Sequence, residues 1–107
     1  MSINRVFTSD EGEPTVTINV SEYFDYQCVH DFRNAFTLNC ANDETRDADY
    51  VVDLSLTKYI DSCALGMLLS LDKFVRKRAR QLRIVNCNDH VRKIFTMVHF
   101  DKKLSIQ

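Results

Sequence analysis

The chain is poor in the residues that punctuate a fold. Its 107 residues include two glycines, one proline and no tryptophan. It also lacks an apolar run approaching the ~20 residues of a membrane span. The polar start MSINRVFTSDEGE has no apolar core of the kind a signal peptide carries. A cytoplasmic protein without membrane insertion is therefore expected. The net charge is only −1, which gives no global reason to expect nucleic acid as a partner. The four cysteines (Cys28, Cys40, Cys63 and Cys87) are expected as reduced thiols without a disulfide framework. Cys28-x-His30 and Cys87-x-x-His90 are the close Cys–His pairs. Neither has a finger spacing, so no metal and no cofactor is expected.

What is present is an ordinary globular composition, 45% hydrophobic and 27% charged, and the length suits one domain spanning residues 1–107. Ile3–Phe7 fits a first strand, and SDEGEP (Ser9–Pro14) is the stretch with strong turn chemistry. Thr15–Val20 alternates strictly and predicts a half-buried strand pairing back as a hairpin. Asp25 suits the N-cap of a helix whose apolar positions are Val29, Phe32, Ala35, Phe36 and Leu38. Asn39–Asp49 has loop composition. Tyr50–Leu56 is rich in β-branched residues without helical period, as in a buried central strand. A helix is predicted from Asp61-Ser62 to about Ala79, and a strand over Leu82–Val85. A last helix spans Asp89–Val98, with Val91, Ile94, Phe95 and Val98 on one face, before a short edge strand at Leu104–Ile106. This order contains two βαβ crossovers and predicts an α/β fold: a mixed sheet with helices packed on it.

The helix after Tyr50–Leu56 carries the functional signals. Its apolar set, Ala64, Leu65, Met67, Leu68, Leu69, Leu71, Phe74, Val75 and Ala79, is wider than the roughly 100° stripe that packing on a sheet requires. Two readings fit equally: burial between sheet and neighbouring helix, or a surface that docks a partner. Gly66 costs roughly 1 kcal/mol against alanine in a helix interior, which suggests that another main chain or a partner comes close to the backbone there. The basic far end (Lys73, Arg76, Lys77, Arg78, Arg80, Arg83) suits the negative end of the helix dipole and needs no ligand. At the near end Asp61 can cap the backbone N–H of Cys63 or Ala64, leaving the Ser62 hydroxyl to point outward. A phosphate on Ser62 would place about −1.5 to −2 charges beside that carboxylate. From residue types alone, Asp61-Ser62 is simply a cap pair. Cys63 at a helix N-terminus is a candidate reactive thiol, but it stands next to an acid and has no identifiable base, so a small packing residue is the expected role.

The run Tyr59-Ile60-Asp61-Ser62-Cys63-Ala64-Leu65-Gly66-Met67-Leu68-Leu69 resembles the strand–Asp-Ser–helix motif of the STAS domain, the fold of bacterial anti-sigma factor antagonists. Phe24-Asp25, Leu82-Arg83-Ile84-Val85-Asn86, Val91-Arg92-Lys93-Ile94-Phe95 and Phe100-Asp101-Lys102-Lys103-Leu104 resemble further family landmarks in the same order, so the likeness covers essentially the whole chain. Where the family has glycine, this chain has Glu22, Ala64 and His99. Arg78–Gln81 replaces a glycine-rich turn, and Cys63 replaces a second Ser or Thr.

The resemblance implies a four- to five-stranded mixed sheet with three or more helices, and a non-enzymatic role in signal transduction and transcription regulation. By that resemblance Ser62 is the phosphoacceptor of a partner serine kinase, reversed by a PP2C-type phosphatase. The unphosphorylated form binds an anti-sigma-type partner through Asp25, Asp61, Ser62, Cys63, Leu65 and Gly66, and the phosphorylated form releases it. The alternative within the family is a subunit of an ABC-type transport complex that docks an ATPase on the same surface without phosphorylation. A redox or metal sensor built on Cys63, or on Cys87 and His90, is the remaining class.

Overall fold

The computed structural model describes residues 3–10, 13–37 and 48–106. Leu38 and most of the expected loop, residues 39–47, lie outside them. Strands β1 (Ile3–Asp10) and β2 (Glu13–Val20) pair antiparallel from Ile3↔Val20 to Asp10↔Glu13. The strands thus extend into the expected turn, taking in Ser9, Asp10, Glu13 and Pro14. In β2 the predicted alternation is realised: Val16, Ile18 and Val20 are buried, while Thr15, Thr17 and Asn19 are half-buried.

Helix α1 (Val29–Thr37) follows a two-residue strand, β3 (Tyr23–Phe24), and a 3-10 turn over Tyr26–Cys28. Strand β4 runs from Asp49 to Asp53, so Asp49 opens the strand instead of closing the loop, and the strand ends before the expected Leu56. The backbone N–H of Ser55 donates to Asp53 Oδ1 at 2.9 Å, and that of Thr57 donates to the Leu54 carbonyl at 3.0 Å. These two bonds turn the chain. Leu54 stays buried, but Leu56 is 67% exposed.

Strand β5 (Tyr59–Ile60) leads into α2 (Ser62–Arg76). This helix stops short of the expected Ala79, which adopts φ 55° in the turn beyond it. Strand β6 (Leu82–Val85) matches expectation. Helix α3 covers Asp89–Met97; its C-cap, Val98, is 40% exposed and does not share the buried face of Val91 and Phe95. A 3-10 turn (Phe100–Lys102) then precedes β7 (Ser105–Ile106).

The main sheet has the order β1-β2-β4-β6-β7, with β2, β4, β6 and β7 parallel. This gives three crossovers, one more than the sequence order suggested, because the short β7 closes a third. Its edge position is as expected. The sheet's buried residues, Ile18, Tyr50, Val52 and Ile84, form one core with Phe32, Leu68, Leu71, Val75, Val91 and Phe95 from the helices. Aromatic contacts tie the layers together: Phe24 packs on Phe32 at 5.0 Å between ring centroids, and the Tyr50 ring meets Phe74 edge-on at 5.9 Å.

Candidate functional site

Two short segments of similar pattern, Tyr23-Phe24-Asp25 and Tyr59-Ile60-Asp61, build the site. They lie side by side as a separate parallel ribbon, with Tyr23 opposite Tyr59 and Phe24 opposite Ile60. The period-two geometry of a strand sends Phe24 and Ile60 into the core and both tyrosines outward. The ribbon is tied by bonds from the N–H groups of Lys58 and Tyr59 to the Glu22 carbonyl, and from that of Asp61 to the Phe24 carbonyl at 3.2 Å. Thr57, buried, donates its hydroxyl to the carbonyls of Val20 and Ser21 at 3.3 and 2.9 Å. Its own carbonyl accepts from Asn88 Nδ2 at 3.0 Å, which ties this segment to the N-cap of α3.

Each segment ends in an aspartate that caps the helical turn after it. Asp25 Oδ1 accepts from the Gln27 N–H at 3.0 Å, and Asp61 Oδ1 accepts from the Ala64 N–H at 3.0 Å. Asp61 does more than cap α2. Its Oδ2 accepts the Tyr26 N–H at 3.0 Å, across 35 residues of chain. One carboxylate therefore holds the start of α2 and the 3-10 turn ahead of α1 in fixed relation. That bond also sets Asp25, the neighbour of Tyr26, beside the start of α2.

Ser62 is the first residue of α2 and is exposed, as are Cys63 and Gly66. Leu65 is half-buried and packs on the core. A Cβ built on Gly66 meets nothing within 4 Å. The close approach of another main chain, one of the two expectations for this glycine, does not occur among the described residues. The apolar excess of α2 is resolved largely in favour of burial: Ala64, Met67, Leu68 and Leu71 are buried, and Leu65 and Leu69 are partly buried against the core.

Three exposed tyrosines surround this helix start: Tyr23 at 57%, Tyr26 at 65% and Tyr59 at 47%. Sequence analysis missed them as a group. Their signal was the repeated Tyr-apolar-Asp pattern, which places two tyrosines on one face once the segments pair. Next to the ribbon, a surface cavity of about 500 Å³ is lined by Ser21, Glu22, Leu56, Lys58 and Asn88 among others. Glu22 and Lys58 are 3.6 Å apart, an exposed ion pair of little energetic weight.

The cysteine pairs show no shared site. The Cys28 thiol is buried and donates to the Tyr23 carbonyl at 3.0 Å, whereas His30 pairs with Asn34 at 3.1 Å. Cys87 is half-buried, and burial pushes its thiol up from the ordinary value, opposed by the Arg92 charge. Cys40 lies outside the described residues.

A mixed sheet with crossover helices between its parallel strands, and a half-buried Asp61 followed by an exposed Ser62 at the start of α2, are the features of a STAS-type domain. The family model for the STAS domain matches residues 7–107, and the chain belongs to that family. It is 34% identical over 106 residues to a STAS-domain containing protein of Pseudomonas aeruginosa (strain UCBPP-PA14), covering 99% of both chains. The fold matches that of the anti-sigma factor antagonist SpoIIAA in its unphosphorylated form, with a TM-score of 0.75 and 15% identity over 99% of this chain and 87% of that one. The phosphorylated form of Bacillus SpoIIAA matches with a TM-score of 0.73 and 15% identity over 99% of this chain and 91% of that one. No helix among the described residues is long and apolar enough to cross a membrane.

Proposed function

We propose that this protein is a non-enzymatic, phosphorylation-controlled binding switch of the anti-sigma factor antagonist type. The unphosphorylated surface around Ser62 docks a serine kinase or anti-sigma-type partner. The kinase phosphorylates Ser62, the complex dissociates, and a PP2C-type phosphatase resets it. The observation that carries this reading is the exposed Ser62 hydroxyl beside an Asp61 whose two oxygens are both committed, to the Ala64 and Tyr26 N–H groups. A phosphate there adds about −1.5 to −2 charges next to a carboxylate that cannot move away without breaking either bond. The added charge stands on the surface formed by Cys63, Gly66 and the tyrosines, so it opposes docking without a need to unfold the domain. SpoIIAA, whose fold this chain shares, has been solved in both unphosphorylated and phosphorylated forms, which fits a switch on this scaffold.

Intact-mass analysis of the protein from its native cells, with and without phosphatase treatment, should show a removable phosphate that maps to Ser62. Ser62→Asp should then lose the protein partner that Ser62→Ala retains. Equal partner binding by the two variants, or a Ser62 that is never modified, overturns the proposal.

A further inference from the structure

Six large apolar or aromatic side chains stand exposed among the described residues, and four of them, Tyr23, Tyr26, Leu56 and Tyr59, lie on or beside the β3–β5 ribbon. The chain has four tyrosines. Tyr50 belongs to the core, and the other three all come to this one place. Tyr23 and Tyr59 are direct neighbours across the ribbon, so their rings leave the same face. Neither hydroxyl has a hydrogen-bond partner among the described residues, and neither ring packs on another aromatic ring there. Tyrosine is favoured on binding surfaces because it offers a large contact area at low entropic cost. The pair fits that use, since the fold itself draws no hydrogen bond or ring contact from its side chains.

The charge around the pair selects its occupant. Asp25 and Asp61 both have extended backbone, at φ −134° and −111°. The strand alternation therefore carries past Phe24 and Ile60 and returns each aspartate to the side of the tyrosines. Asp61 has both oxygens engaged by backbone N–H groups. Asp25 uses Oδ1 for the Gln27 N–H, and its Oδ2 has no partner among the described residues. Lys58, the cation within the ribbon's own segments, is matched by Glu22 at 3.6 Å. Two aromatic rings beside uncancelled carboxylate charge form a surface complementary to a cation. Arginine suits it better than lysine, because a planar guanidinium stacks on an aromatic face while its edge N–H groups reach a carboxylate.

We propose that the outer face of the ribbon is an arginine seat. The protein partner that docks at Ser62 lays a guanidinium on the Tyr23 and Tyr59 rings and pairs it with Asp25 Oδ2. The seat rests on the reading of this surface as a docking face, and names the chemistry of the partner's contact. It is compatible with release on phosphorylation. A phosphate on Ser62, with up to two charges and three acceptor oxygens, outcompetes a single carboxylate oxygen for that guanidinium and draws it off the rings.

The test is an NMR titration of the full chain with N-acetyl-arginine methylamide. The controls are the citrulline analogue, which keeps the shape without the charge, and the lysine analogue. With arginine, saturable shifts are expected at the Tyr23 and Tyr59 ring protons and the Asp25 amide, with Leu82 and Ser105 unmoved. Citrulline should give none, and lysine weaker binding. Tyr59→Ala should weaken arginine binding about fivefold, whereas Tyr59→Phe, which keeps the ring, should stay within about twofold of wild type. Asp25→Asn removes the charge but still caps the turn, and should also weaken binding about fivefold. An equal response to citrulline or lysine, or wild-type affinity in Tyr59→Ala, overturns the seat. The probe requires neither partner nor phosphate, so failure of the seat and failure of the Ser62 switch are read separately.

Discussion

Gly66 is a weakness in α2 that the fold does not need. It sits mid-helix with open space where a Cβ would be, so alanine fits without a clash and removes the entropic penalty of glycine. Gly66→Ala should raise stability by about 0.5–1 kcal/mol, measured as a higher urea midpoint. If the docking surface runs over this position, the same change should weaken the protein partner's affinity. Stability and binding moving in opposite directions is the signature of a glycine kept for a partner; a gain in stability with unchanged binding would remove Gly66 from the surface. Other positions show the converse economy. Ala79 and His99 hold left-handed backbone at φ 55° and 61°, where the family pattern has a glycine-rich turn and a glycine. At Ala79 the geometry survives although the residue that adopts it most readily is absent, because the bonds from Ala79 and Arg80 to the carbonyls of Arg76 and Val75, at 3.1 and 2.9 Å, close the end of α2.

Among the elements, the coupling of two helix starts through Asp61 is the feature on which the site depends. Asp61→Ala removes an N-cap and a second acceptor together, and should cost about 1–2 kcal/mol in urea unfolding. Asp61→Asn keeps one oxygen and should cost less. Hydrogen exchange at the Tyr26 amide adds a local readout: it should accelerate in Asp61→Ala and stay unchanged in Ser62→Ala. Both caps were legible in the sequence, since an aspartate just ahead of an apolar-periodic run has a local physical meaning. The alternation of Thr15–Val20 and the β-branched density of Tyr50–Asp53 likewise announced β2 and β4. The Asp61–Tyr26 bond was not legible, because no local pattern reports a contact across 35 residues. Nor was the β3–β5 ribbon, since two residues are too few to show a period. Leu54–Leu56 misled for a related reason. Apolar residues continue the strand pattern there, but the Asp53 carboxylate bends the chain by accepting the Ser55 N–H.

At the scale of the whole molecule, the two ends of α2 differ in the charge they carry among the described residues, although Lys58 stands at one end and Asp49 and Asp72 at the other. Glu22, Asp25 and Asp61 lie around the ribbon, and the basic run lies past the far end of α2. With about 20 Å of helix between them and a screening length of about 8 Å at physiological salt, charge added at Ser62 acts on its own end of the domain. A carboxylate with a lowered pKa lies elsewhere, at the carboxyl ends of β4 and β6. Asp53 accepts from the Ser55 N–H at 2.9 Å and from Asn86 Nδ2 at 3.3 Å, bridging the two strands. Partial burial raises its pKa, but the backbone and hydroxyl of Ser55 and the Asn86 amide outweigh this and hold it below the ordinary value of 3.8. A carboxyl whose pKa is lower folded than unfolded stabilises the fold when ionised. That contribution is complete well above pH 4 and is lost as pH falls through the ordinary value toward the folded one. Asp53→Asn keeps an acceptor for Ser55 but no longer titrates, so the difference in urea midpoint between wild type and variant isolates this group from every other carboxylate. The difference should favour wild type at pH 6 and shrink steadily toward pH 3. A difference that stays constant over that range would show that the bridge stabilises through hydrogen-bond geometry alone, with no contribution from the charge.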